Sequence, residues 1–247
     1  MINRSVDFLG EVTVNQNHRE AMADVRDMYM AHTMFRREFS LLPQLVRDVT
    51  PGDTTRAEVV GAHAEMLCSI LHLHLHLHHE GEDLLLWPRL TQRGGAQAAA
   101  IVPIMEEQHH AIEKAHAAVL ALLPQWRRTG HGGGQLAAEF EQLRSALIEH
   151  MALEESEILP LAERHITASE WMQLGEHGMS AAPKKQLPLA FGLAMYEGDP
   201  EVIKAVLAHA PLPARLLMPI IAPRFFANHA RRVHGTATPP RIGVGAR

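Results

Sequence analysis

LHLHLHLHHEGED, residues 71–83, is the stretch on whose reading the fold depends. Its strict alternation of leucine and histidine has the period of a half-buried strand. The surrounding sequence argues for helix instead. The run follows RAEVVGAHAEMLCSI (residues 56–70) with no turn residue directly before it, leucine favours helix, and the β-branched and aromatic residues of strands are absent.

Wound at about 100° per residue from His78, the segment sorts its histidines into two groups. Leu67, Leu71, His74, Glu82 and Leu85 fall within about 40° of His78, whereas Glu65, His72, His76, His79 and Asp83 lie roughly 100° to 160° away, on the side expected to be wet. An imidazole and a carboxylate four residues apart place two donor atoms over one spot, so His78 and Glu82 form the candidate ligand pair, with His74 in reserve.

The same spacing returns in RSALIEHMALEESEILPLAE (144–163), where His150 and Glu154 share a line with Leu143, Leu147 and Leu161 and Glu155 lies about 140° off it. Glu82 and Glu154 are each followed six residues later by a proline, Pro88 and Pro160. In IMEEQHHAIEKAH (104–116), His109, Glu113 and His116 align with Met105 and Leu120, while His110 points away. In DVRDMYMAHTMFRREF (24–39), His32 aligns with Val25, Met28 and Phe39. Each of four helices thus offers an inward histidine. A single buried histidine is commonly a hydrogen-bonded core residue, but several imidazoles and two carboxylates converging in one interior are costly without a cation. His72, His76, His79 and His110 are expected in solvent, and His63, His165, His177, His209, His229 and His234 show no ligand spacing.

Turn signals at TPGD (50–53), RGG (93–95) and RTGHGGG (128–134) separate helical segments over roughly 20–49, 54–92, 96–128 and 135–165. Short links between long helices predict an all-α, up-down antiparallel four-helix bundle, with the third helix kinking or beginning at Pro103. The expected organisation is a bundle over 20–166, a small helical C-terminal extension over 167–235 and a flexible tail over 236–247.

A chain of 247 residues that is 47% hydrophobic can bury a substantial core. Its net charge of -5 gives no footprint for nucleic acid or an anionic membrane. The single cysteine, Cys68, supports neither a disulfide framework nor a thiolate cluster, and no signal-like or membrane-spanning run is seen, so a cytoplasmic protein is expected. Eighteen histidines beside many carboxylates form a ligand set for iron, zinc or manganese. A ferritin-like site needs Glu-x-x-His on two helices, but Glu106-x-x-His109 and Glu113-x-x-His116 share one, and HEGED lacks the second histidine of a zinc-protease motif.

The order His32, HHEGEDLLLWP, EEQHHAIE and HMALEESEILP resembles the hemerythrin-like, HHE cation-binding proteins, in particular longer bacterial members with a helical C-terminal extension. The resemblance covers about residues 20–165, and the extension more loosely. It implies a non-haem di-iron centre of two iron ions, oxo- or hydroxo-bridged, with Glu82 and Glu154 bridging and His32, His78, His109 and His150 as terminal ligands. In the family's oxygen carriers the third helix supplies two histidines four apart. Here Glu113 stands four after His109, so His116 or His74 fills the place, Glu113 binds, or the iron is left more open. Tyr29 and Trp87 are close enough in sequence to stand behind the ligands, though bundle core and rim is the plainer place for both.

Three functions follow. The first is a binding protein for dioxygen, peroxide or nitric oxide; the second is a di-iron enzyme, catalase- or peroxidase-like or an oxidase of an organic substrate, toward which the Glu113 departure leans. The third is a structural helical protein with a zinc- or nickel-binding histidine stripe on its surface.

Overall fold

A computed structural model describes residues 20–179 and 185–243, apart from the side chains at 74–76, 78, 178 and 179. The bundle is built from α1 (Arg26–Arg47), α2 (Thr54–Gly81), α3 (Trp87–Thr129) and α4 (Gly133–Leu153), with short π-helical turns at Glu82–Leu86 and Glu154–Ile158 and a last helix, α5 (Leu159–His165). The expected turns fall where the sequence places them. Asp53 caps α2 by accepting from the Arg56 N–H at 2.9 Å, and α3 stops at Gly130, whose left-handed backbone (φ 67°) returns its N–H to Trp126. The helical path from α2 carries on through the π turn into the start of α3 and breaks at Gly95 (φ 60°, ψ -139°). That conformation is open to glycine and not to residues with a Cβ. Pro103 neither starts nor breaks the helix, because the chain has already turned at Gly95 and Pro103 rides inside the new segment.

α4 packs between α1 and α3, and α2 against α3, giving the up-down arrangement. Most of the buried apolar residues among those described fall into two clusters. One gathers Phe35, Phe39, Leu67, Leu71, Ile112, Val119, Phe140, Leu143 and Leu147. The other gathers Met28, Leu86, Trp87, Leu90, Met105, Ile158, Leu161 and Trp171. Between the two clusters every bundle helix or the turn after it brings buried polar groups to one level: His32, His79 and Glu82, His109, and His150 and Glu154.

The extension is helical throughout its described part. α6 (Ala168–Met179) lies over the end of α2, where a Cβ added to Gly81 would come within 2.7 Å of Leu174. α7 (Leu187–Met195), α8 (Pro200–Ala208) and α9 (Leu212–His234) contact α1 or α2 elsewhere. Residues 236–243, expected as a loose tail, are seated against the protein: the Tyr196 hydroxyl donates to the Pro239 carbonyl at 2.8 Å, the Arg241 guanidinium lies over the Tyr196 ring, and the Gly243 N–H donates to Glu197 at 3.1 Å. Among the described residues no helix is long and apolar enough to cross a membrane.

α7 and α9 cross so closely that a Cβ at Gly192 would stand 2.4 Å from the Ala222 carbonyl oxygen and 3.0 Å from Phe226 Cβ. Gly192→Ala is therefore expected to cost about 1–3 kcal/mol by overpacking. Hydrogen exchange should show it as faster exchange in α7 and α9, with the bundle helices protected as before.

Candidate metal centre

Both glutamates that the sequence turns inward open a π turn. The Trp87 N–H reaches back five residues to the Glu82 carbonyl, and the Leu159 N–H does the same to Glu154. A proline stands one residue further on in each case, Pro88 and Pro160, with no N–H for the carbonyl four residues back, Leu84 or Ser156, so a wider turn forfeits no hydrogen bond there. Proline alone does not set the turn, since Pro43 and Pro103 lie inside regular helix. The π turn ends the α-register at the carboxylate, as π bulges often do at functional sites. The extra residue also shifts the face: Leu86 is buried and Leu85 only half-buried, where constant 100° steps place Leu85 inward.

Glu82 and Glu154 are 0% and 1% exposed. Glu82 faces His109 (Oε2 to Nε2, 3.5 Å), and Glu154 Oε2 faces His32 Nε2 at 3.1 Å and His150 Nε2 at 3.7 Å. The His109 and His150 rings meet edge to face at 4.8 Å, and the His79 ring lies flat against that of His109 at 3.2 Å. One ligand atom each from His79, His109 and His150 lies within 4.8 Å of the others. The result is an unbroken buried run of donors: Glu82, His109, His79, His150, Glu154 and His32.

Glu155 falls off the inward line, yet it is half-buried and accepts from His32 Nδ1 at 3.0 Å and from Arg36 at 2.7 Å. The Tyr29 hydroxyl donates to the Glu155 carbonyl at 3.3 Å, whereas Trp87 sits in the second apolar cluster. Burial pulls the His32 pKa down, but the carboxylates of Glu154 and Glu155 more than offset it and raise it above the usual imidazole value. The carboxylate behind His32 fixes which nitrogen faces the cluster, the device by which histidines are commonly oriented toward metals. Sequence reading missed this role, although HMALEE shows two adjacent glutamates that a helix necessarily splits between an inner and an outer position.

Three expectations change. His79, placed in solvent, is only 7% exposed and inside the cluster: it stands three residues before Glu82, about 60° from it, and α3 covers that edge of α2. Glu113 is not inward, because its side chain is 53% exposed and lies 3.7 Å from that of His110. The inward stripe of α3 runs Met105, His109, Ile112, His116, Val119, and Leu120 is exposed. His116 is buried but one turn too far along, where its Nε2 meets the Cys68 carbonyl at 3.1 Å and its ring stacks over His72 at 6.0 Å. So α3 brings one histidine to the cluster, and the further imidazole comes from α2. The side chains of His78 and His74 lie outside the described residues. Cys68 offers no thiolate, since burial pushes its thiol up to about 12.

The fold and the site together define a four-helix-bundle metal protein with imidazole and carboxylate donors. The family model of the hemerythrin HHE cation binding domain matches residues 23–162, more than half of the chain, and the chain belongs to that family. No curated protein and no solved structure matches it. Among the described residues the donor set fits the cation-binding character of the family: two carboxylates and four imidazoles, all buried, with no sulfur among them.

Metal analysis of protein purified without a metal-affinity column should find the cation lost in His79→Ala and kept in Glu113→Ala and His116→Ala. Glu155→Gln, which weakens the hold on His32, should lower metal affinity about 10–100-fold in a chelator competition.

Proposed function

We propose that the cluster holds two iron ions, oxo- or hydroxo-bridged, and that the protein binds dioxygen, peroxide or nitric oxide there. The observation that carries this reading is the pair of buried carboxylates, each opening a π turn and each facing an imidazole from another helix. Glu82 and Glu154 would bridge, and His32, His79, His109 and His150 would bind terminally, with His78 assigned from sequence spacing alone.

A ferrous pair supplies two electrons to an oxidant when bound. The chain supplies the rest. Apolar clusters on both sides keep bulk water from the donors. Glu155, itself held by Arg36, fixes the His32 ring, so its Nε2 stays turned to Glu154.

A small oxidant is favoured over an organic substrate because Glu113, whose carboxylate leaned the sequence reading toward turnover, lies outside the cluster.

The deciding experiment is anaerobic reduction of the iron-loaded protein followed by dioxygen, hydrogen peroxide or nitric oxide in separate samples. A spectral change that reverses when the gas is removed is the expected result for dioxygen or nitric oxide. Catalytic evolution of oxygen from peroxide, or steady consumption of dioxygen with an added organic reductant, would make the protein an enzyme and overturn the binding reading. Fewer than two irons per chain after reconstitution would overturn the centre itself.

A further inference from the structure

A second group of ligand-type side chains lies where the extension meets the bundle: Glu38 of α1, His63 of α2 and His234, the last residue of α9. One ligand atom from each lies within 4.8 Å of the other two. None belongs to the run of donors described above, and Glu38 and His63 are each 1% exposed.

The two buried members are held in a particular way. Arg37 takes one oxygen of Glu38, with Nε 2.7 Å and Nη2 2.6 Å from Oε1. His229 takes one nitrogen of His63, its Nε2 lying 2.9 Å from His63 Nδ1. That leaves Glu38 Oε2 and His63 Nε2 buried and turned toward each other at 3.4 Å, with no hydrogen bond to a third group. A tetrahedral ion with bonds of about 2.0–2.1 Å spaces its ligands by roughly 3.3–3.4 Å. Each side chain therefore has one atom fixed by a supporting group and the other aimed at a common point, the arrangement that orients metal ligands from behind.

Arg37 is fully buried between Glu38 and Glu197, with Nη1 3.0 Å from Glu197 Oε2, and so fixes the Glu38 carboxylate in place. His234 is brought to that place by the end of α9. Arg56 of α2 donates to the carbonyls of Arg232 and Val233, and Gly235, in left-handed conformation (φ 72°), stops the helix directly after the histidine.

We propose that Glu38, His63 and His234 form a second metal site, for a divalent ion of zinc type, that clips the C-terminal helix onto the bundle. Two imidazoles and one carboxylate are a zinc donor set with a fourth position left for water. The site does not rest on the iron reading, and the two fail separately.

The test is titration of the iron-loaded 247-residue chain with cobalt(II), whose four-coordinate complexes have intense visible bands, followed by displacement with zinc. The expected result is one equivalent of cobalt giving those bands, abolished in His234→Ala while iron content is unchanged. His234 is only partly buried at a helix end, so this variant should fold; His63→Gln, carrying an amide of similar reach, provides a second reading. Zinc should raise the melting temperature of the unmodified protein and not that of His234→Ala. The same cobalt uptake and spectrum in His234→Ala would overturn the proposal, as would loss of the bands in His79→Ala with retention in His234→Ala. Absence of any uptake beyond the bundle centre would also overturn it.

Discussion

Placing two carboxylates and several imidazoles in the middle of a helical bundle is the constraint to which the rest of the structure answers. Glu82 and Glu154 are buried to about 1% exposure or less, and ionised carboxylates do not leave water without strong compensation. The compensation comes from all sides. α1, α2, α3 and α4 each bring a histidine to the same level, Glu155, itself held by Arg36, fixes one of these rings from behind, and apolar clusters close the level above and below. A bundle whose core were apolar from end to end would not need its helices in this register. Here the register is set by groups that have to meet.

Much of this was legible in the sequence because helical periodicity and polarity coincide. Loops at Gly52, Gly95 and Gly130 fall in the predicted turns, and His32, Glu82, His109, His150 and Glu154 are recovered from apolar stripes with ionisable members. Errors began where ideal geometry stops. Counting by 100° steps put Leu85 inward, but the π turn inserts a residue and buries Leu86. The same counting treated the inward face of α2 as a narrow line, whereas α3 covers a broader sector that takes in His79. On α3 it joined Glu113 and Leu120 to His109, although Ile112 and Val119 are the buried members. The trailing prolines, visible in the sequence as a repeated Glu-x5-Pro, were the unused signal for the π turns.

Contacts between the extension and the bundle were not legible at all, and for a physical reason. Glu38, His63 and His234 lie on three segments far apart in the chain, and none has a ligand spacing with another on its own helix. Their meeting depends on how α9 crosses α1 and α2. That crossing is set in part by Gly192, whose missing Cβ lets α7 lie against Ala222 and Phe226 of α9, and in part by Arg56 holding the final turn of α9. Long-range convergence of this kind leaves no periodic trace.

The two prolines that follow the π turns bias them in one direction. A helix that widens around a bound ion can narrow again when the ion leaves, shifting each downstream hydrogen bond by one residue. Here the narrowed register would bring the Pro88 ring toward the Leu84 carbonyl and the Pro160 ring toward that of Ser156. The covalent sequence itself thus weighs against narrowing beside the two carboxylates.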